Sequence, residues 1–227
     1  MRSRLAKLLK ILGVLVVFAS GFGAYDLYSP RTTHLREFNP DEVARLETAM
    51  WRSYYEKERF RLFRELAELM RTQYNMPLVR SNLTAYYAAN AAVVFQRGKE
   101  RPDYEKALPD LVKFYQQVRN MSDIPFDVNE AARLELEWWI IHRQRTRYKP
   151  EDLARALAEL QTAIYHLPVG QFMEHGKYRA EAMTIRDTKA EQGGVTEADW
   201  VKIDELLHKS WHSLFDVVNA EPEKNQK

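Results

Sequence analysis

The chain has 227 residues, with 34 lysines and arginines against 32 acids, for a formal net charge of +2. Its 5 Trp, 12 Tyr and 10 Phe are too many for a disordered chain. The lack of cysteine excludes disulfide scaffolds, thiolate metal sites and cysteine nucleophiles. The composition therefore predicts a folded domain whose chemistry does not depend on thiol or thiolate groups.

Residues 1–28 have the character of a membrane segment. Basic residues without any acid precede an uncharged run from Ile11 to Tyr25. Leu8 to Tyr28 would reach roughly 31 Å as a helix, enough for a hydrocarbon core of about 30 Å. The basic flank predicts a single-pass anchor with a cytoplasmic amino terminus and an extracytoplasmic body, periplasmic in a bacterium. A cleaved signal peptide, ending near residues 19–21, is the alternative, and it would export the body equally.

The span carries small residues at a spacing that favours helix–helix packing. Ala19 and Gly23 lie one helical turn apart, as do Ser20 and Ala24, so each pair shares a face. We expect these residues to be the interaction site for a second transmembrane helix. Small residues are also typical of the end of a signal peptide, so both interpretations are kept.

The predicted organisation is an anchor at 1–28, a linker at 29–39, a helical domain at 40–218 and a polar tail at 219–227. Residues 1–28 hold four basic residues and one acid, which leaves 30 basic against 31 acidic residues in the remainder. Such a nearly neutral body lacks the basic surface that nucleic acid requires. The expected partners are therefore membrane proteins and the lipid bilayer, and not nucleic acid.

Prolines and capping residues divide the body into helices. No segment shows the two-residue alternation of a strand, so the predicted fold class is all-α. Asn39, Asp127 and Thr196 are the clearest N-caps. The predicted helices run over residues 40–74, 78–97, 103–119, 127–147, 150–166, 170–192 and 196–218.

Two of these helices are expected to be the most buried. The helix at 78–97 carries no charge between Arg80 and Arg97, and the helix at 127–147 contains Trp138 to Ile141, a run of four large apolar residues. Apolar residues around the whole circumference of a helix indicate that it is covered on several sides.

The helices also suggest a pairwise arrangement. Residues 103–108 resemble the second helix of a tetratricopeptide repeat, and the apolar pattern of residues 104–111 recurs at 153–160, 49 residues later. The resemblance implies stacked helical hairpins. However, the family's period is about 34 residues, and its first-helix Trp and Gly signature is missing here. An antiparallel bundle of about seven helices is therefore the other expected arrangement.

One helix carries acidic and histidine residues at a spacing that could bind a metal ion. Glu205, His208 and His212 have the spacing of ligands in carboxylate bundles. At about 100° per residue they lie beside the apolar seam of their helix instead of on it, and the sequence holds no second Glu-x-x-His. We therefore expect no metal, no other cofactor and no catalytic residue, with these three as weak metal candidates.

One side of the helix at 127–147 combines polar and aromatic groups. Glu135, Trp139 and His142 share this side, where a substrate or ion could bridge the acid and the imidazole. The end of the helix is basic, through Arg143, Arg145 and Arg147. These cations are expected to stabilise the helix C-terminus, and an anion site is the alternative.

Three functions follow from these patterns. The first is a non-catalytic interaction or accessory subunit of a larger membrane assembly, such as a respiratory, photosynthetic or transport complex, because no nucleotide, hydrolase or metalloprotease motif is found. The second is a helical-bundle metal protein or enzyme. The third is a carrier of an apolar ligand, for which the expected lining residues are Trp138, Trp139, Tyr86 and Tyr87.

Overall fold

The computed structural model describes residues 2–220, and within them all regular structure is helical. The helices are α1 (Arg2–Tyr28), α2 (Pro40–Tyr55), α3 (Arg59–Thr72), α4 (Leu78–Arg97), α5 (Arg101–Tyr104), α6 (Leu108–Met121), α7 (Val128–Arg143), α8 (Pro150–Tyr165), α9 (Met173–Glu191) and α10 (Glu197–Asn219). Short 3-10 turns at 105–107, 145–147 and 169–172 lie between them. The all-α prediction is confirmed. The predicted polar tail lies outside the described residues from 221 onward.

The helix α1 contains the candidate membrane span. Within the described residues, Leu9–Tyr28 is the one segment that is long and apolar enough to cross a bilayer, and only 6% of its span window is buried. Its large apolar side chains are exposed, as at Phe18, which is 75% exposed. A signal sequence would have the same length and composition, so the expected anchor and its alternative both fit this helix.

The carboxyl end of α1 is fixed to the amino end of α4. The buried Asp26 carboxylate accepts the backbone N–H groups of Val79 (3.2 Å) and Arg80 (3.1 Å), which have no partner within α4. In return, the Arg80 guanidinium donates to the carbonyl oxygens of Asp26 (3.1 Å) and Ser29 (3.1 Å). Each side chain caps the other helix, so α1 meets the body at a defined point.

The long helices of the body form a continuous series of contacts. Each one packs against the next along the chain, and α10 packs against α2. The members of this ring are α2, α3, α4, α6, α7, α8, α9 and α10.

The linker between α1 and α2 crosses one end of the ring. Thr33 donates its backbone N–H to Met121 at the end of α6 (2.6 Å) and its hydroxyl to the carbonyl of Tyr74 after α3 (2.6 Å). The hydroxyl of Tyr165 at the end of α8 donates to the carbonyl of Leu35 (3.0 Å). The linker therefore covers the end where α3, α6 and α8 finish and where α4 begins.

Helices α7 and α8 contribute many of the buried core residues. Ile140 and Leu157 are fully buried, and they belong to one large apolar cluster that extends through most of the ring. The prediction that the helices at 78–97 and 127–147 are the most buried is wrong. Buried residues make up 6 of 20 in α4 and 6 of 16 in α7, whereas 8 of the 15 residues at 151–165 in α8 are buried. Most of the remaining positions of α4 are half-buried, and its Tyr86 is 54% exposed.

Two predicted helices are divided in the structure, and the helix predicted at 127–147 ends at Arg143. The helix predicted at 40–74 is two helices, because Lys57 adopts a left-handed backbone conformation (φ 62°) that no helix can continue through. The helix predicted at 103–119 is also divided. Pro109 stands in the first turn of α6, where its missing N–H costs no helical hydrogen bond.

Candidate functional site

A cavity of about 470 Å³ lies inside the ring. Its lining belongs to α2, α3, α4, α6, α7 and α9, and it includes the carboxyl-terminal turns of α2, α4, α7 and α9. The exposed lining residues Arg143, Arg145 and Glu191 follow or end these helices and mark the mouth. The mouth is therefore at the end of the ring opposite the linker and α1.

The walls of the cavity are largely aromatic. Trp139 packs edge-on against Phe95 (ring centroids 5.2 Å apart) and against Trp138 (6.0 Å). Two predicted lining residues, Tyr86 and Tyr87, do not line the cavity; both lie on α4 away from it. The aromatic side chains that do line it are Trp51, Tyr54, Tyr55, Phe95, Phe114, Trp138 and Trp139.

An acidic group lies at the inner end. Glu135 accepts hydrogen bonds from the Tyr115 hydroxyl (2.9 Å) and from Nε1 of Trp139 (2.9 Å). Burial raises the pKa of Glu135, although the nearby charge of Arg179 acts in the opposite direction. The inner end therefore holds a carboxyl group that takes up a proton more readily than an exposed glutamate.

The charge of Arg179 is compensated behind the cavity wall. Its guanidinium bonds to the buried carboxylate of Glu47 on α2, which also accepts from Nε1 of Trp211 (2.6 Å). The guanidinium also lies over the ring of Trp138, 5.3 Å from its centroid. The Nε–H of Arg179 is buried and has no hydrogen-bond partner among the described residues.

Asp187 is the centre of an ionic cluster at the mouth. Its carboxylate lies 3.0 Å from Nε2 of His142, 3.3 Å from Arg145 and 2.9 Å from Arg186. Burial acts to raise the pKa of Asp187. The hydrogen bonds of His142 and Arg186 and the charge of Arg145 outweigh it, so the pKa falls to about 2. Asp187 is therefore a carboxylate throughout the physiological pH range.

Arg143 is the cation at the mouth without an acidic partner in the described structure. Its guanidinium lies over the ring of Phe95, 5.0 Å from the centroid, and donates to the Tyr54 hydroxyl (3.3 Å). No carboxylate within residues 2–220 forms an ion pair with it, whereas Arg145 and Arg186 share Asp187. The mouth consequently holds more positive than negative side chains.

Glu135, Trp139 and His142, which the sequence places on one side of their helix, all line the cavity, with the acid and the imidazole at its opposite ends. A substrate or ion that bridges them stays a prediction. Of the basic residues at the end of α7, Arg143 and Arg145 line the mouth, and Arg147 lies outside it.

The weak metal candidates lie on the surface of α10. Glu205 is exposed, His212 pairs with Asp41 on α2 (2.7 Å), and Nδ1 of His208 contacts the carbonyl oxygen of Asp204 (2.8 Å). Among the described residues, no group of three or more His, Asp and Glu side chains has an arrangement that could hold a metal ion.

The small residues of the span are not covered by the body. Ala19, Ser20 and Ala24 are exposed, and a Cβ added at Gly23 would meet no other atom within 4 Å. The interaction site predicted there stays a prediction.

Sequence reasoning missed the contribution of α9. The sequence analysis gave no role to Arg179, Arg186 or Asp187, and this helix carries charges all around its circumference. The available signal was the spacing of residues 179, 183, 186 and 190, which places Met183 and Ala190 on one face with two arginines.

Comparison with known protein families, with curated proteins and with solved structures finds no match for this chain.

Proposed function

We propose that this protein is a membrane-tethered binding protein that holds a small, largely apolar molecule in the cavity of its helical ring. The observation that carries the proposal is the cavity itself. Its volume of about 470 Å³ lies within the usual range of ligand sites, and aromatic walls with a few polar groups at defined positions are typical of such sites. The proposed role is binding without catalysis.

The proposed placement has residues 1–10 in the cytoplasm, α1 across the bilayer as a retained anchor and the body outside. The basic residues before the span favour this orientation. The mutual capping of Asp26 and Arg80 supports a fixed position of the body on its anchor. The mouth lies at the opposite end of α4, roughly 22 Å from Arg80 along the helix axis, so a ligand would enter from the aqueous side.

We also propose an antiparallel bundle in preference to stacked repeats. Short connections join each helix to its neighbour, which favours opposite directions for successive helices. The return contact of α10 with α2 supports a closed arrangement. A repeat stack would leave its first and last helices apart.

A second candidate function is that of an accessory subunit in a larger membrane assembly. The exposed Ala19, Ser20 and Ala24, with Gly23 on the same helix, favour it, because close backbone approach can hold transmembrane helices together. Mild solubilisation of membranes followed by sizing of the native species tests this role. A complex larger than the chain supports it, and a monomer without a stable partner contradicts it.

Catalysis or metal binding is the alternative to a purely binding role. His142 and Asp187 could move a proton on a bound substrate, since they lie at the mouth of the cavity. Their ties to Arg145 and Arg186 favour a structural role instead. Turnover of a bound compound that His142→Gln abolishes, with binding retained, would establish the enzymatic alternative.

Ligand binding is tested by thermal unfolding of the full chain against a panel of small aromatic and alkyl amphiphiles. A compound that binds only the folded state raises the Tm. Ala88 lines the cavity, so Ala88→Trp should fill it and remove the shift. Val201, which is 58% exposed on α10, offers the control Val201→Trp, which should keep the shift. A parent protein that no compound stabilises would contradict the proposal.

A further inference from the structure

The cavity has two ends of different charge. Its inner end is set by Glu135 and by Arg179, whose charge is already met by Glu47. Its outer end has one more positive than negative side chain, with Arg143, Arg145 and Arg186 against Asp187 and Glu191. Along α7, Glu135 and Arg143 are separated by roughly 12 Å of helical rise, so a ligand that fills the cavity contacts both ends.

The inner end is unfavourable for an anion. A negative group there would face the Glu135 oxygens, which already accept hydrogen bonds from Tyr115 and Trp139. Arg179 offers little compensation, because Glu47 neutralises it. The aromatic rings between the two ends provide apolar contact and no charge of their own.

The outer end offers unused positive charge. Arg143 has no acidic partner among the described residues, and Phe95 and Tyr54 hold its guanidinium at the mouth. Arg186 pairs with Asp187 (2.9 Å) and is oriented by the ring of Tyr55, with its guanidinium carbon 3.2 Å from the ring centroid. The Nε–H of Arg186 is buried and without a hydrogen-bond partner in the described structure. A buried donor of this kind is costly unless an acceptor meets it.

We infer that the ligand is an amphipathic organic anion, with its apolar body between the aromatic walls and its anionic group at the mouth against Arg143 and Arg186. This inference rests on the proposed binding function and specifies its ligand. Guanidinium groups suit carboxylate and phosphate oxygens equally, so the shared chemistry is a compact oxyanion on an apolar body. The ligand enters the cavity from water with its apolar end first, so its charged end stays at the mouth.

Three probes with one aromatic body and different head groups test this inference. Naphthoate, naphthylmethanol and naphthylmethylammonium are titrated calorimetrically into the full chain in neutral detergent, with Ala88→Trp as the baseline for partition into micelles. Naphthoate should bind about tenfold more tightly than naphthylmethanol, since a charge-assisted hydrogen bond typically contributes that much. Arg143→Gln should weaken naphthoate about tenfold and leave naphthylmethanol unchanged.

Arg147 supplies the matched control. It lies on the turn after α7, is exposed and does not line the cavity, so Arg147→Gln should leave all three affinities unchanged. The anion inference would be overturned if naphthoate and naphthylmethanol bound with equal affinity, or if Arg143→Gln weakened both equally. The binding function would stand in either case. Tightest binding of naphthylmethylammonium would also overturn it and assign the head group to Glu135. If none of the probes binds, the inference falls, and the amphiphile panel decides separately on the binding function.

A probe with phosphate in place of carboxylate tests whether both oxyanions bind at the same place. Naphthyl phosphate is titrated into the same proteins. If Arg143→Gln lowers the affinity for naphthyl phosphate as much as the affinity for naphthoate, one subsite binds both head groups. Retention of naphthyl phosphate affinity in Arg143→Gln would contradict the subsite.

Discussion

Charged side chains inside the ring are paired across helices. Glu47 on α2 meets Arg179 on α9, and Asp187 on α9 meets His142 at the end of α7. Since a buried charge is stable only when compensated, these pairs connect α2, α7 and α9 around the cavity. The same pairs position the side chains that give the cavity its polar groups.

The pair of Glu47 and Arg179 gives a stability prediction. Glu47→Gln should lower the free energy of unfolding by roughly 3 kcal/mol, because it leaves Arg179 buried without a compensating charge. Urea unfolding of the full chain measures the difference. Glu205→Gln, at an exposed position on α10, is the control and should change stability by less than about 0.5 kcal/mol. An unchanged midpoint in Glu47→Gln would show that Arg179 finds another partner.

His175 predicts a dependence of stability on pH. It is fully buried, its Nδ1 bonds to the carbonyl of Ser210 (3.0 Å), and its Nε2 has no partner among the described residues. Burial, helped by the charge of Arg179, lowers the pKa of His175 from 6.5 to about 3. At a pH between these two pKa values, the imidazole is protonated in the unfolded chain and neutral in the folded chain. Stability should therefore fall, as the pH drops below about 6.5, by about 1.4 kcal/mol per pH unit from this group.

His175→Asn should remove that part of the slope, because asparagine retains an N–H donor for Ser210 but does not titrate. Denaturant unfolding between about pH 6 and pH 4 measures it. His166→Asn, at an exposed histidine, controls for the loss of a histidine as such. Parallel pH profiles for the parent and His175→Asn would refute the assignment.

The residue pattern of the sequence anticipated part of the site and not the rest. Glu135, Trp139 and His142 could be grouped because they share one helix and one face. Asp187 and Arg186 could not be added to this group from the sequence. They reach the cavity only because α9 packs against helices that are distant in the chain. Tyr86 and Tyr87 were assigned inward because α4 carries no charge there, and an uncharged helix face does not have to be a buried one.

Helix ends in this protein follow local capping chemistry closely. Asn39 accepts the backbone N–H of Asp41 (3.0 Å), and Asp127 accepts that of Glu130 (2.8 Å), as the sequence predicted. The break at Lys57 was not predictable, because neither glycine nor proline marks it. The contact of α2 with α3 holds this left-handed turn in place.

The contact of α8 with α9 gives a prediction at the scale of the element. A Cβ at Gly176 would lie 2.1 Å from the carbonyl oxygen of Ala154. Gly176→Ala should therefore destabilise the fold by about 2 kcal/mol, although alanine favours a helix over glycine by about 1 kcal/mol. Thermal unfolding measures the difference. Gly170→Ala, where an added Cβ meets nothing within 4 Å, should be neutral or stabilising. A stabilised Gly176→Ala variant would contradict the close approach of the helices.

The two ends of the ring have different roles in the molecule. The linker and the end of α1 occupy one end of the ring, and the mouth of the cavity occupies the other. The proposed anchor and the proposed ligand entrance are therefore on opposite sides of the body. Hydropathy and charge predicted the anchor, whereas the closure of the ring and its cavity arise from contacts between residues far apart in sequence, such as α2 with α10.

The orientation across the membrane is tested by labelling, because the chain has no cysteine of its own. A membrane-impermeant maleimide should label Glu205→Cys on intact cells, and it should label Arg4→Cys only after permeabilisation. Permeabilised cells are the control for reactivity at both positions. Labelling of Arg4→Cys alone on intact cells would reverse the orientation, and loss of Arg4→Cys from the mature protein would establish cleavage of the segment.

Native mass spectrometry of the full chain released from membranes tests the binding function most directly. The parent protein and Val201→Trp should each carry one small molecule per chain, held without a covalent bond. Ala88→Trp, whose indole fills the cavity, should appear at the mass of the protein alone. A parent protein that emerges without a bound molecule, or an Ala88→Trp variant that retains the same molecule, would contradict a ligand site inside the helical ring.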